Sequence, residues 1–272
     1  MDSQFTGVYT QQVKSMNPTR REVLALAALS TGALTARDPT LGMIFPPAGR
    51  SIAEEGLVMY PGGIRFIGEG LGLKTMTPEG YDAVIDLIPP VAKRLKEQGA
   101  QAIALMGTSL SFYKGQSFNL KLTNTVKQAT GLPATSMSTA VIEGLKALGG
   151  HRLAVATAYN DEVNDRLRAF LKEHGFEVLA LQGLGVVRVE DINQVTQPQL
   201  LEFSARVRES ATKADAMLVS CGGLRTLEIL APLEKRVKIP VVSSTPHAVR
   251  AGVRLLGLSG HVDGYGSLLA KS

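Results

Sequence analysis

The stretch Ala216-Met217-Leu218-Val219-Ser220-Cys221-Gly222-Gly223-Leu224 carries the decisive information about the fold. A short apolar run closed by Gly-Gly reads as a buried strand that ends in a tight turn, and a turn of that kind offers main-chain N–H groups to an anion. Cys221 is the only cysteine in the chain. Placed at the end of a parallel strand, its thiol opens into a cleft and not into the core. A second segment of the same design, Ile103-Ala104-Leu105-Met106-Gly107-Thr108-Ser109-Leu110, carries Gly107 where the first carries Cys221.

Outward from this pair, the order of elements repeats. Leu41-Gly42-Met43-Ile44-Phe45, closed by Pro46-Pro47-Ala48-Gly49, matches His151-Arg152-Leu153-Ala154-Val155-Ala156-Thr157-Ala158-Tyr159. Leu132-Pro133-Ala134-Thr135-Ser136-Met137-Ser138-Thr139-Ala140-Val141 matches Ile239-Pro240-Val241-Val242-Ser243-Ser244-Thr245-Pro246-His247-Ala248-Val249. Each matched pair is separated by roughly 110 residues, which marks an internal duplication. Short apolar strands alternate with amphipathic segments, the pattern of parallel βαβ units. Helices are expected over 114–130, 139–148, 161–174 and 197–211. Another starts at Thr77-Pro78-Glu79, with a capping residue and a first-turn proline, and is broken by Pro89-Pro90 before 91–98.

The fold class is therefore α/β: two pseudo-symmetric Rossmann-like domains, each with a short parallel sheet flanked by helices, and the active site in the cleft between them. The boundaries expected are an extension over 1–38, a first domain over 39–148 plus 247–272, and a second over 149–246. Ligands of parallel sheets bind beyond the carboxyl ends of the strands. The loops there are Pro46-Pro47-Ala48-Gly49, 107–111, Tyr159-Asn160 and Cys221-Gly222-Gly223.

Composition narrows the function. The 272 residues are enough for two α/β domains, and the net charge of +5 is dispersed without basic runs interleaved with aromatics, so no nucleic-acid partner is expected. One cysteine excludes an internal disulfide. The four histidines, His151, His174, His247 and His261, stand singly, and no metal site is expected. Arg20-Arg21 ahead of Ala25-Leu26-Ala27-Ala28-Leu29 looks like a twin-arginine export signal, which implies the periplasm if it functions and the cytoplasm otherwise; Met16 is an alternative start. That apolar stretch is too short to span a membrane.

Thr108 and Ser109 offer two hydroxyls and two N–H groups directly after a strand, suited to a carboxylate or a developing oxyanion, and Tyr159 adds a hydroxyl from the other domain. A nucleophilic thiol would call for a histidine base, for which only His247 is a candidate. Proton donation needs only a thiol near its usual pKa of about 8.5. General acid chemistry at carbon is the favoured reading of Cys221.

These residues resemble the bacterial arylmalonate decarboxylase family, within the aspartate/glutamate racemase superfamily. The resemblance rests on Pro46-Pro47, on Gly70-Leu71-Gly72-Leu73 through Thr77-Pro78-Glu79-Gly80-Tyr81, on Met106-Gly107-Thr108-Ser109-Leu110, on Ala156-Thr157-Ala158-Tyr159 and on Ser220-Cys221-Gly222-Gly223-Leu224. It runs from about Thr40 to Ser244 and is expected to fade after Pro246. It implies cofactor-free decarboxylation of an α-aryl malonate, a small dicarboxylate, to a chiral α-aryl acid, by a monomer. By the resemblance, Thr108, Ser109, Tyr159 and the N–H of Gly222 hold the retained carboxylate. The departing one lies against Pro47, Leu73, Met76, Val189 and Ile192, with Tyr81 and Leu110 nearby. Arg225, Met76, Ile192 and Pro89-Pro90 depart from the family pattern.

Two other readings compete. Racemases and cis-trans isomerases of the superfamily typically place a cysteine at both strand ends, and Gly107 counts against them. A periplasmic carboxylate-binding protein would use a similar cleft without turnover.

Overall fold

A computed structural model describes residues 38–49 and 52–271. The stretch read as an export signal, at Arg20-Arg21 and beyond, lies outside the described residues. Two four-stranded parallel sheets carry the fold. The first is ordered β2-β1-β3-β4, from β1 (Thr40–Phe45), β2 (Arg65–Gly70), β3 (Ala102–Leu105) and β4 (Ala134–Ser136). The second repeats that order as β6-β5-β7-β8, from β5 (Arg152–Thr157), β6 (Glu177–Gly183), β7 (Ala216–Ser220) and β8 (Val241–Ser243). The duplication read from the sequence is thus also a duplication of topology.

The central strands are mostly apolar because helices cover both faces, as parallel sheets require. All residues of β1, β3 and β7 are buried. The edge strands β2 and β6 are only half-buried and contain glycine, charge and glutamine, which is why the sequence reading omits them.

The helices are α1 (Glu54–Met59), α2 (Pro78–Ile85), α3 (Ile88–Glu97), α4 (Thr108–Phe112), α5 (Gln116–Thr130) and α6 (Met137–Ala147) in the first half. Those of the second half are α7 (Asp161–Glu173), α8 (Gln197–Glu209), α9 (Leu227–Val237) and α10 (Ser244–Leu255). Local signals set their starts. Thr77 Oγ1 accepts from Gly80 N–H at 3.2 Å at the head of α2, and Asn160 Oδ1 accepts from Val163 N–H at 3.0 Å at the head of α7. Pro89-Pro90 does separate α2 from α3, but the prolines sit inside the first turn of α3, which begins at Ile88 and not at Val91. A missing N–H costs nothing there.

Two features tie the halves together. Helix α10 follows β8 of the second sheet yet packs on α6, β3 and β4 of the first. Glu55 of α1 accepts from the N–H groups of Thr226 and Leu227 at 2.8 and 2.9 Å, satisfying otherwise orphaned donors at the head of α9.

His247 on α10 is fully buried, with Nδ1 accepting from Ser243 N–H at 3.0 Å. Burial, reinforced by the charge of Arg250 and partly offset by the Ser243 backbone, lowers its pKa to about 4. The imidazole is thus neutral in the fold and charges readily once unfolded, near 6.5. Its stabilising contribution is complete above that pH and is lost as pH falls toward 4, at a cost of about 3 kcal/mol. Urea unfolding at pH 7 and pH 4.5 should show this decline. The decline should shrink in His247→Asn, and an identical decline in that variant would mean His247 does not titrate.

Candidate active site

The carboxyl ends of β1, β3 and β7 open into one cleft of about 750 Å³ between the two sheets. That volume suits a small-molecule ligand. Cys221 follows directly on β7, lines the cleft and is 3% exposed. Gly107 occupies the matching place after β3 and also lines it.

A side chain at Gly107 would be crowded by a neighbour from its own half. A Cβ there would meet Pro46 Cγ at 2.4 Å and Leu110 Cβ at 3.1 Å. The proline ring would have to shift before this position could carry a first-half counterpart of the thiol. Gly222 and Gly223 have a similar explanation. Their turn is closed by Leu224 N–H donating to Cys221 O at 3.2 Å, and neither glycine has a positive φ. What they provide is close approach: a Cβ at Gly222 would lie 3.0 Å from Met137 Sδ, and one at Gly223 2.8 Å from Ile192 Cγ2.

Thr108 and Ser109, read from the sequence as a strand-end turn, instead form the first turn of α4, a buried five-residue helix. Both line the cleft. The carbonyl of Thr108 accepts from Ser111 Oγ and Ser138 Oγ, each at 3.0 Å, which fixes the turn.

Tyr159, Tyr81 and Leu110 stand one layer behind the lining, at 1, 0 and 0% exposure. The Tyr159 hydroxyl lies 3.2 Å from Ser220 Oγ and also interacts with Thr108. Burial first, and then the neighbouring Cys221, hold its pKa well above that of an ordinary phenol. Tyr81 is likewise raised, by burial above all, with Ser109 acting in the opposite sense. No side chain completes a regular hydrogen bond to its buried hydroxyl among the described residues.

The expected apolar wall comes together: Pro46 and Pro47 from the β1 loop, Leu73 and Met76 from the segment after β2, and Val189 and Ile192 from the 3-10 turn Val189–Gln194 all line the cleft. A clasp between the halves holds the last four in place. Met76 N–H donates to Val187 O at 2.8 Å and Val189 N–H to Lys74 O at 3.0 Å, with an antiparallel bridge between Thr75 and Arg188. Arg225 is exposed and outside the lining, so this departure from the family pattern does not reach the cleft. His247, held by Ser243, is not among the lining residues either.

Sequence reasoning missed several participants. Lys74 and Arg188 place cationic side chains in the lining, and Arg188 pairs with Glu190. Met106 also lines the cleft, while Ser244 lies behind Thr108 and Cys221. The matched segments 132–141 and 239–249 already held the signal for Ser244, because in both a strand runs without a loop into a helix aimed at the site.

Two parallel sheets of the same strand order, with Cys221, Gly222, Thr108 and Ser109 lining one partly apolar cleft between them, define a two-lobed α/β protein with a small-molecule site. The sequence profile described as arylmalonate decarboxylase matches residues 41–269, and so continues well past Pro246, where the resemblance was expected to fade. The chain is 48% identical over 238 residues to the arylmalonate decarboxylase of Bordetella bronchiseptica, covering 87% of this chain and 99% of that one. An arylmalonate decarboxylase variant with a glycine-to-cysteine and a cysteine-to-serine exchange, solved in the liganded form, superposes with a TM-score of 0.82. It is 47% identical, with 85% of this chain and 98% of that one covered. The maleate isomerase of Pseudomonas putida S16, solved with maleate, gives a TM-score of 0.81 over 87% of this chain and 99% of that one; at 19% identity it shows a shared fold. The chain belongs to the arylmalonate decarboxylase family and is an enzyme of the carboxy-lyase class.

Proposed function

We propose that the enzyme decarboxylates α-aryl-α-substituted malonates without a cofactor and protonates the product on one face. The observation that carries this reading is the asymmetry of the duplicated strand ends. Cys221 faces the cleft after β7, while the equivalent position after β3 is Gly107, backed by the Pro46 ring.

Thr108, Ser109 and the Gly222 amide bind the carboxylate that is retained, and the buried Tyr159 hydroxyl supports Thr108 from behind. The other carboxylate rests against Leu73, Met76, Val189 and Ile192. When the C–C bond breaks, its electron pair passes into the retained carboxylate and gives an enediolate, while CO₂ leaves. Hydroxyl and amide donors set in advance stabilise the charge that develops on those oxygens. The poorly solvating wall favours a neutral product over the carboxylate it replaces. Cys221 S–H then delivers its proton to the α-carbon, and the thiolate is reprotonated from solvent.

Lys74 at the cleft supports a dianionic substrate by raising its local concentration, whereas the charge of Arg188 is offset by its partner Glu190, which lines the same cleft. An isomerase or racemase reading is less well supported, since it typically calls for a second thiol. The reaction is tested with a panel of malonates, by following CO₂ release from phenylmalonate and methyl-phenylmalonate and, for the latter, the enantiomeric ratio of the acid. Release of CO₂ with an unequal ratio is expected. Binding without release would mark a carboxylate-binding protein and end this reading.

A further inference from the structure

The first residues of α6 and α10 occupy equivalent places in the duplication, since β4 runs directly into Met137 and β8 directly into Ser244. The second residues of these helices act alike: Ser138 Oγ donates to Thr108 O at 3.0 Å, and Thr245 Oγ1 donates to Gly222 O at 3.0 Å. Each pins the strand-end loop of its own half.

The first residues instead reach across. Met137 stands where a Cβ at Gly222 would touch its sulfur. Ser244, fully buried, has its Oγ at 2.8 Å from Thr108 Oγ1 of the first half, and it also accepts from Cys221 N–H at 3.1 Å. The Thr108 hydroxyl thus lies between Met137 Sδ, at 2.9 Å, and Ser244 Oγ. A thioether is a weak acceptor and a hydroxyl a good one, so Ser244, together with the Tyr159 hydroxyl that also interacts with Thr108, decides where the Thr108 O–H points.

We propose that Ser244 is a positioning residue that couples the anion-binding hydroxyl of Thr108 to the thiol-bearing strand end of Cys221; the inference rests on the reaction proposed above. With the cleft empty, Thr108 donates to Ser244. When a carboxylate or enediolate oxygen arrives, Thr108 turns its proton to that oxygen and Ser244 donates to Thr108 Oγ1 in its place. The result is a chain from Cys221 N–H through Ser244 and Thr108 to the anion, in which each bond polarises the next. Ser244 touches neither substrate nor reacting carbon. Its effect is on the geometry between the group that holds the anion and the group that protonates it.

The hydroxyl is separated from bulk by comparing Ser244→Thr with Ser244→Val, which match in shape and differ in the O–H. Ser244→Ala, the least disruptive change, serves if either larger side chain prevents folding. Turnover by Ser244→Ala and Ser244→Val should fall by up to roughly 100-fold, the scale of a misplaced reacting group. KM should move much less than kcat, and the enantiomeric ratio should erode. Ser244→Thr should restore most of both. Equal losses in Thr and Val, or unaltered kcat and enantiomeric ratio in Ala, would overturn the proposal. If the unmodified enzyme releases no CO₂ from any malonate, it is the proposed reaction that fails. The linkage is then read from alkylation of Cys221 by iodoacetamide: a changed rate in Ser244→Ala supports it and an unchanged rate overturns it.

Discussion

Cys221→Ser should lower CO₂ release from aryl malonates by about 10²–10⁴-fold, the usual contribution of a positioned general acid. The residue directly follows β7, whose pairing with β5 and β8 does not involve its side chain. Its amide donates to Ser244, and that bond survives the exchange. Serine is close to cysteine in size, so the principal cost to the fold is a buried hydroxyl that must find a partner, about 1–3 kcal/mol if it finds none. Thermal unfolding should therefore stay cooperative while turnover collapses, because an alcohol is a much poorer proton donor to carbon than a thiol. The donors on Thr108, Ser109 and Gly222 remain, so weak binding of the dianion should persist. Initial rates of CO₂ release and a calorimetric scan are sufficient to check both halves of the expectation. A variant that folds and retains more than about a third of the activity would remove Cys221 from the proton-transfer step.

What the sequence revealed about this site follows physical lines. Segments governed by a single strong rule were readable. The buried central strands β1, β3, β5 and β7 announce themselves as apolar runs, and α2 by its Thr77-Pro78 cap. Because the duplication sets Gly107 against Cys221, even the main chemical asymmetry was legible. Features that depend on contact between distant segments were not. The clasp of Met76 with Val187 and of Val189 with Lys74 has no local signature, being an extended contact of two residue pairs between the halves. Helix α4 is buried along its whole length and so lacks the amphipathic stripe that betrays a helix. The Gly222-Gly223 turn looked like a conformational requirement and is in fact a packing one, set by Met137 and Ile192. For Ser244 the duplication marked the place, a strand running straight into a helix, but not the role, which lies in bonds to residues 136 and 23 positions away.

On the reaction proposed above, Gly107→Cys should place a proton-exchanging group on each face of the substrate. The two strand ends are related by the pseudo-symmetry of the sheets, β2-β1-β3-β4 against β6-β5-β7-β8, so a thiol introduced after β3 faces the cleft from the side opposite Cys221. With an α-aryl propionate bound, the thiolate on one side can remove the α-proton while the thiol on the other returns one, and repeated turnover then equalises the two hands. The substitution has a definite steric cost. The new Cβ would start 2.4 Å from Pro46 Cγ, and Pro46 is itself tied through its carbonyl to Leu73 N–H at 2.7 Å. The proline ring must move, and overpacking of this kind typically destabilises by about 1–3 kcal/mol. Because Pro46 and Leu73 both line the cleft, that movement also reshapes the apolar wall, and decarboxylation should slow even though Cys221 is intact. Combining Gly107→Cys with Cys221→Ser leaves one thiol, on the opposite face, and the preferred hand of the decarboxylation product should invert. Deuterium incorporation at the α-carbon of a resolved α-aryl propionate in D₂O, followed beside its optical purity, reads the single variant; chiral analysis of the malonate product reads the double one. No exchange in the first together with an unchanged hand in the second would show that Gly107 does not occupy the face opposite Cys221, and the asymmetry of the strand ends would then lose its place in the mechanism.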